Sequence, residues 1–77
     1  MKNSEIAARL CQHAHEINSR HENLFRARAY RRAAESILRL NDPVELIVKH
    51  AGVQALEHIP GIGRRIAREI TNLIDRH

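Results

Sequence analysis

Three arginines stand at the start of the last predicted helix, where most helices place acidic side chains. The first N–H groups of a helix have no intrahelical acceptor, and they lie at the positive end of the helix dipole. Arg64, Arg65 and Arg68 therefore oppose the dipole and one another. A bound phosphate would reverse that cost, because the free amides, the dipole and the guanidinium groups would all favour it. This pattern predicts an anion-binding site.

The segment before this helix contains two glycines and one proline, and it cannot continue a helix. Pro60 disfavours helical geometry at the residue before it, and glycine adopts backbone conformations that other residues avoid. The glycines also let a ligand touch the backbone amides directly, which suits DNA binding that does not read the bases. The alternative interpretation is a tight connector with solvated arginines. The predicted phosphate-binding residues of this region are Gly61, Ile62, Gly63, Arg64, Arg65 and Arg68.

The charge of the chain agrees with a polyanionic partner. Its 77 residues carry 13 basic and 9 acidic side chains, and Lys2 and Lys49 are the only lysines among them. The other basic residues are arginines, whose planar guanidinium group suits phosphate. A genome rich in G and C would produce the same excess of arginine, so the composition supports DNA as the partner without deciding it.

Other function classes find little support in the sequence. The lone Cys11 cannot form an internal disulfide, and no apolar run approaches the length of a membrane span. We expect a cytoplasmic protein with no membrane partner, associated with the nucleoid if the source is a bacterium. Cys11 and His15 share a helix face with His13 nearby, but zinc needs three or four ligands and no second cluster supplies them. These side chains therefore predict no metal cofactor.

Helical periodicity of the apolar residues predicts an all-α fold. Asn3 or Ser4 should cap the first helix, and Asp42 should cap the third, with Pro43 in its first helical position. We expect one domain over residues 1–77, a compact bundle of four main helices with a short extra helix. The predicted helical segments are residues 4–17, 24–40, 43–50, 53–58 and 63–76.

The second predicted helix is apolar around most of its circumference, which should place it at the centre of the bundle. Four charged side chains share one narrow stripe along it. The stripe can be a second track of phosphate contacts or a solvated face, and the glutamate within it favours the solvated face. Its members are Arg28, Arg32, Glu35 and Arg39.

Two motifs at a fixed separation resemble those of a known family. Residues 53–74, with Ile-Pro-Gly-Ile-Gly at 59–63, look like a helix–hairpin–helix motif. The segment Asn-Leu-Phe-Arg-Ala-Arg-Ala-Tyr-Arg-Arg-Ala-Ala at 23–34 is the second match. With Ile6-Ala7 and Leu10, nearly the whole chain resembles the amino-terminal lyase-type domain of X-family DNA polymerases, the DNA polymerase beta type, in its bacterial and archaeal versions. The chain would be a free-standing relative or one domain excised from a polymerase.

The resemblance implies binding to the 5′-phosphate side of gapped or nicked DNA. The family's phosphate pocket corresponds here to Arg26, Tyr30 and Arg65. Arg26 and Tyr30 stand one helical turn apart, so both can face one ligand. Tyr30 can equally be a partly buried core aromatic, and the two interpretations are compatible. The family hairpin can also hold a monovalent cation, Na⁺ or K⁺, on backbone carbonyls, which would here belong to Glu57, Ile59 and Ile62.

One departure from the family bears on catalysis. The lysine that forms a Schiff base with deoxyribose phosphate in some members corresponds here to Glu69, and a carboxylate cannot form an imine. An intrahelical ion pair with Arg65 is a simple explanation for this glutamate. Glu57 also stands where the family has a basic pocket residue. We therefore predict sequence-independent DNA binding without catalysis. Residual lyase activity and a protein-interaction module that has lost DNA binding are the alternatives.

Overall fold

The computed structural model describes residues 1–21 and 23–76, whose regular elements are all helical. The all-α fold expected from the periodicity is confirmed, because these residues contain no strand. None of the helices among them is both long and apolar enough to cross a membrane. The elements are α1 (Asn3–Ser19), α2 (Leu24–Leu38), α3 (Val44–Ala51), a 3₁₀ helix (Val53–His58) and α4 (Arg64–Arg76).

The core is formed by one apolar face of each long helix. On α1, the residues Ile6, Leu10, Ala14 and Ile17 recur every three or four positions, and each is at most 4% exposed. This face packs extensively against α2, whose alanines allow the two helices to approach closely. Further buried core residues are Ala7, Ala27, Tyr30, Ala33, Ala34, Ile37, Val44, Leu56, Ile62, Ile66, Ala67 and Ile70.

The wide apolar circumference of α2 predicted a position at the centre of the bundle, but part of its apolar surface is exposed. Only one face of the helix is buried, and Leu24, Phe25 and Leu38 are 54%, 80% and 61% exposed. A chain of 77 residues has too few elements to cover a second face of its central helix. Apolar side chains are therefore left on the surface at both ends of α2.

Asn3 joins the beginnings of two helices, a role that the sequence does not reveal. It lies within α1, and its side chain donates a hydrogen bond to the Asp42 carbonyl at 3.0 Å and accepts one from the Val44 N–H at 2.8 Å. The predicted cap by Asp42 is wrong, because Pro43 takes the cap position of α3 and the Asn3 side chain satisfies its first amide. Asn3 thereby fixes the start of α3 against the start of α1.

Candidate nucleic-acid interface

The hairpin between the 3₁₀ helix and α4 is closed by its own backbone and anchored in the core. The Ile62 N–H donates to the Ile59 carbonyl at 3.0 Å, across a turn in which Gly61 has a φ of 83°. This left-handed conformation is the reason for glycine at that position. The Ile62 side chain is only 4% exposed. Ile62 therefore holds the hairpin in place, and its amide is used within the turn.

The start of α4 has both kinds of group that the sequence predicts as anion contacts, namely free backbone N–H groups and arginine side chains. The Gly63 carbonyl accepts the first helical hydrogen bond, from Ala67 at 2.9 Å, so the preceding amides of the first turn have no intrahelical acceptor. Arg64, Arg65 and Arg68 are all exposed around this turn, because the buried residues between them face the core. Backbone donors and guanidinium groups thus lie together at the positive end of the helix dipole.

Two side chains of α2 contact the hairpin. Ser36 Oγ donates a hydrogen bond to the Pro60 carbonyl at 2.5 Å. The aliphatic part of Arg32 lies against Gly61, so closely that a Cβ atom at Gly61 would stand 2.7 Å from Arg32 Cγ. Neither contact was expected from the sequence, in which Arg32 belongs to a charged stripe and Ser36 matches no motif.

The predicted pocket residues Arg26, Tyr30 and Arg65 come together around a buried phenol. Tyr30 is fully buried, and its hydroxyl donates to Glu69 Oε1 at 2.5 Å. Burial raises the pKa of Tyr30 above its usual range, and the hydrogen bond and the negative charge of Glu69 raise it further. The positive charges of Arg65 and Arg26 act to lower the pKa of the same phenol. Arg26 is fixed at the start of α2, where its N–H donates to the Asn23 side chain at 3.2 Å.

Glu69 on α4 and His13 on α1 contact Tyr30 and complete a cluster around it. The His13 ring stacks on Tyr30 with a centroid separation of 4.5 Å, and its Nδ1 lies 3.5 Å from Glu69 Oε2, an ion pair when the imidazole is protonated. Glu69 is paired with Tyr30 and His13, so the expected intrahelical pair with Arg65 is wrong. The sequence suggested His13 only as a weak metal ligand, because its stacking partner lies on another helix.

A family model described as a helix-hairpin-helix domain matches residues 1–77. The chain belongs to the helix-hairpin-helix domain family. Domains of this family are generally associated with nucleic-acid binding. Comparison with curated proteins and with solved structures gave no significant match. The finer resemblance to X-family DNA polymerases stays a prediction.

Two clefts flank α4 of this helix-hairpin-helix domain. The first, of about 490 Å³, lies between α1 and α4 and contains Glu69 and His13. The second, of about 410 Å³, lies between the 3₁₀ helix and α4. Glu57 lines this second cleft together with Arg64 and Arg68, where its carboxylate offsets part of their positive charge. Arg64 and Arg68 therefore lie on a different side of α4 from Tyr30 and Glu69, whereas Arg65 acts on Tyr30.

The cation site predicted for the hairpin would consist of backbone oxygens. The Ile59 carbonyl already accepts the Ile62 N–H and keeps one lone pair for a cation. The monovalent cation on Glu57, Ile59 and Ile62 stays a prediction. Among residues 1–21 and 23–76, no three His, Cys, Asp or Glu side chains are grouped as metal ligands.

The raised pKa of Tyr30 predicts a loss of stability in alkali. An unfolded tyrosine ionises near pH 10, whereas the folded state resists ionisation. The stabilisation is therefore complete below about pH 10 and is lost as the pH rises above it, by at most about 1.4 kcal/mol per pH unit. Denaturant titrations across this range should show the fall in the wild type. A Tyr30→Phe variant, which has no phenol to ionise, should show a smaller one. An equal fall in the free energy of unfolding of both proteins would contradict a raised pKa of Tyr30.

Proposed function

We propose that residues 1–77 act as one domain that binds DNA through the phosphate backbone, without sequence specificity. The preferred ligand is gapped or nicked duplex with a 5′-phosphate. The observation that carries this proposal is the start of α4, where amides without intrahelical acceptors lie beside exposed Arg64, Arg65 and Arg68. This ligand would place the protein in the cytoplasm, and at the nucleoid in a bacterium.

The backbone phosphates would be bound at the hairpin and the first turn of α4. The amides and arginines there can contact oxygens of any DNA sequence, because phosphates are the same at every base pair. Each contact would release condensed counterions, so the affinity should fall steeply as salt is raised. The proposed contacts are Gly61, Gly63, Arg64, Arg65 and Arg68. Ile62, which the sequence also suggested, would only hold the hairpin in place, because its amide already donates to the Ile59 carbonyl.

The terminal 5′-phosphate would be bound by Arg26 and Arg65, next to Tyr30. Because the Tyr30 hydroxyl already donates to Glu69, the two guanidinium groups would supply the charge for the ligand. Tyr30 would act by filling the core beneath them. Glu69 would hold a negative charge near the same group, which weakens the site without removing it. A carboxylate forms no imine, so the proposal includes no lyase step at this position.

The direct test is a titration of labelled gapped DNA with and without a 5′-phosphate, at two salt concentrations, with intact duplex as the control. Salt-sensitive binding that is tighter for the phosphorylated gap than for the other two ligands is expected. Salt-sensitive binding that ignores the phosphate would leave a plain backbone binder. No binding at low salt would overturn the proposal.

Neutralising Glu69 should tighten binding to the phosphorylated gap. In a Glu69→Gln variant the side-chain oxygen still accepts the Tyr30 hydroxyl, while the repulsion of the phosphate disappears. We expect an affinity roughly tenfold higher for phosphorylated gapped DNA, and a smaller gain without the phosphate. An exposed carboxylate beside the start of α3, removed in Asp42→Asn, is the matched control. Equal gains in both variants would show only an effect of net charge.

A protein-interaction module is the second candidate, and the exposure of Leu24 and Phe25 supports it. Adjacent apolar side chains on a helix end resemble the anchors by which helices dock into partners. This candidate predicts that charge reversal at Arg64 and Arg65 leaves DNA binding unchanged. Phe25→Ser would then be the substitution that abolishes binding to the protein partner.

A further inference from the structure

One arginine of the charged stripe on α2 differs from its neighbours in what it contacts. All four members of the stripe are exposed, yet Arg32 lies against the hairpin. The three atoms nearest to a Cβ at Gly61 would be its Cγ, Cδ and Cβ, at 2.7, 3.0 and 3.5 Å. The guanidinium group is attached just beyond Cδ, so the positive charge of Arg32 is held near Gly61. In the part of the chain that the structure describes, no carboxylate pairs with it.

A second contact follows one helical turn later. Ser36 stands four residues after Arg32, so the two side chains share a face of α2. Its Oγ donates to the Pro60 carbonyl at 2.5 Å, and Pro60 directly precedes Gly61. Two consecutive turns of α2 therefore hold two consecutive residues of the hairpin, one by packing and one by a hydrogen bond.

These contacts join the two halves of the proposed site. Arg26 and Tyr30 lie on α2, whereas the free amides and Arg65 follow the hairpin on α4. A phosphate site binds well only when its donors are held within a fraction of an ångström of their required positions. Attaching the hairpin to α2 fixes the first turn of α4 relative to the pocket residues on that helix.

We propose that Ser36 and the aliphatic part of Arg32 position the hairpin, and that the Arg32 guanidinium is a further phosphate contact. This inference rests on the proposed DNA binding. It separates Arg32 from Arg28 and Arg39, for which the structure shows no comparable contact with the hairpin and which remain a solvated face. The interface would then extend from α4 across the hairpin onto α2.

Three single variants test the proposal by DNA titration over a range of salt concentrations. Arg32→Met keeps a long side chain against Gly61 but removes the charge. We expect roughly tenfold weaker binding, and a slope of log affinity against log salt smaller by about one. Ser36→Ala removes a positioning bond but no charge, so binding should weaken roughly threefold with the slope unchanged. Arg28→Met, on the same stripe, should change neither.

The outcomes separate this inference from the DNA proposal on which it rests. Wild-type protein that shows no salt-sensitive binding would remove the proposed function itself. Salt-sensitive wild-type binding with an unchanged slope in Arg32→Met would overturn the phosphate contact. Unchanged affinity in Ser36→Ala would overturn the positioning role. Thermal unfolding of each variant checks that the fold is retained.

A pair of backgrounds provides a second, independent test of the packing. Gly61 has a φ of 83°, so alanine is strained there whatever surrounds it, and its Cβ would also meet Arg32. Replacing Arg32 by alanine separates the two costs, because the backbone strain stays and the side-chain contact disappears. Gly61→Ala should therefore lower the melting temperature by about 4 °C or more beyond its effect in an Arg32→Ala background. Equal shifts in the two backgrounds would overturn the contact.

Discussion

Replacing Arg65 by glutamate should weaken binding to phosphorylated gapped DNA by roughly a hundredfold. Arg65 is exposed in the first turn of α4. Its positive charge, like that of Arg26, acts to lower the pKa of the Tyr30 phenol. The substitution removes a charge-assisted contact and places a like charge beside the phosphate. Titration of labelled gapped DNA measures the loss, which should be larger with the 5′-phosphate than without it.

The same substitution should leave the fold intact, which separates binding from stability. A carboxylate near the start of a helix interacts favourably with the dipole, by about 0.3–1 kcal/mol. The melting temperature of the Arg65→Glu variant should therefore be equal to that of the wild type or slightly higher. Lys49→Glu is the matched control, because it makes the same change of net charge at an exposed position in the last turn of α3. An equal loss of binding in the control would contradict a site at α4.

Truncating Tyr30 to alanine should nearly unfold the domain. The side chain is fully buried against α1 and α4, and removing a large buried aromatic costs about 3–5 kcal/mol. Small domains have about 5–15 kcal/mol of stability in total. Urea or thermal unfolding followed by circular dichroism measures the free energy of unfolding directly.

Tyr30→Phe is the companion variant, because it keeps the ring and removes only the hydroxyl. It should cost about 1 kcal/mol, since the Glu69 side chain is 30% exposed and water can replace the lost donor. If Tyr30→Phe lowers the free energy of unfolding as much as Tyr30→Ala does, the hydrogen bond, and not packing, holds α4 in place. A loss below about 1 kcal/mol in Tyr30→Ala would contradict the burial of this side chain.

Periodicity and turn chemistry predicted much of the fold. The spacing of Ile6, Leu10, Ala14 and Ile17 indicated the buried face of α1, and the structure confirms it. The proline and glycines at 60–63 correctly placed the hairpin before the last helix, which begins at Arg64. These features depend on neighbours within a few residues along the chain, and such local rules can be read directly from a sequence.

The contacts that shape the candidate site could not be predicted in the same way. Tyr30 and Glu69 are 39 residues apart, and Ser36 and Pro60 are 24 apart. Periodicity tells which face of a helix is buried, but not which side chain of another helix it meets. The sequence therefore suggested a nearby partner for Glu69, the arginine one turn away. The structure instead pairs it with side chains of α1 and α2.

The distance in sequence between these partners also has a consequence for the order of folding. α1 and α2 are adjacent along the chain and can pair as a local helical hairpin, whereas α4 must close a long loop to reach α2. We expect the pairing of α1 with α2 to precede the docking of α4. A chain arrested at this intermediate would contain every arginine of the interface and yet have no assembled site. DNA that binds the assembled surface would then act on the last step, by slowing the release of α4 from the finished fold.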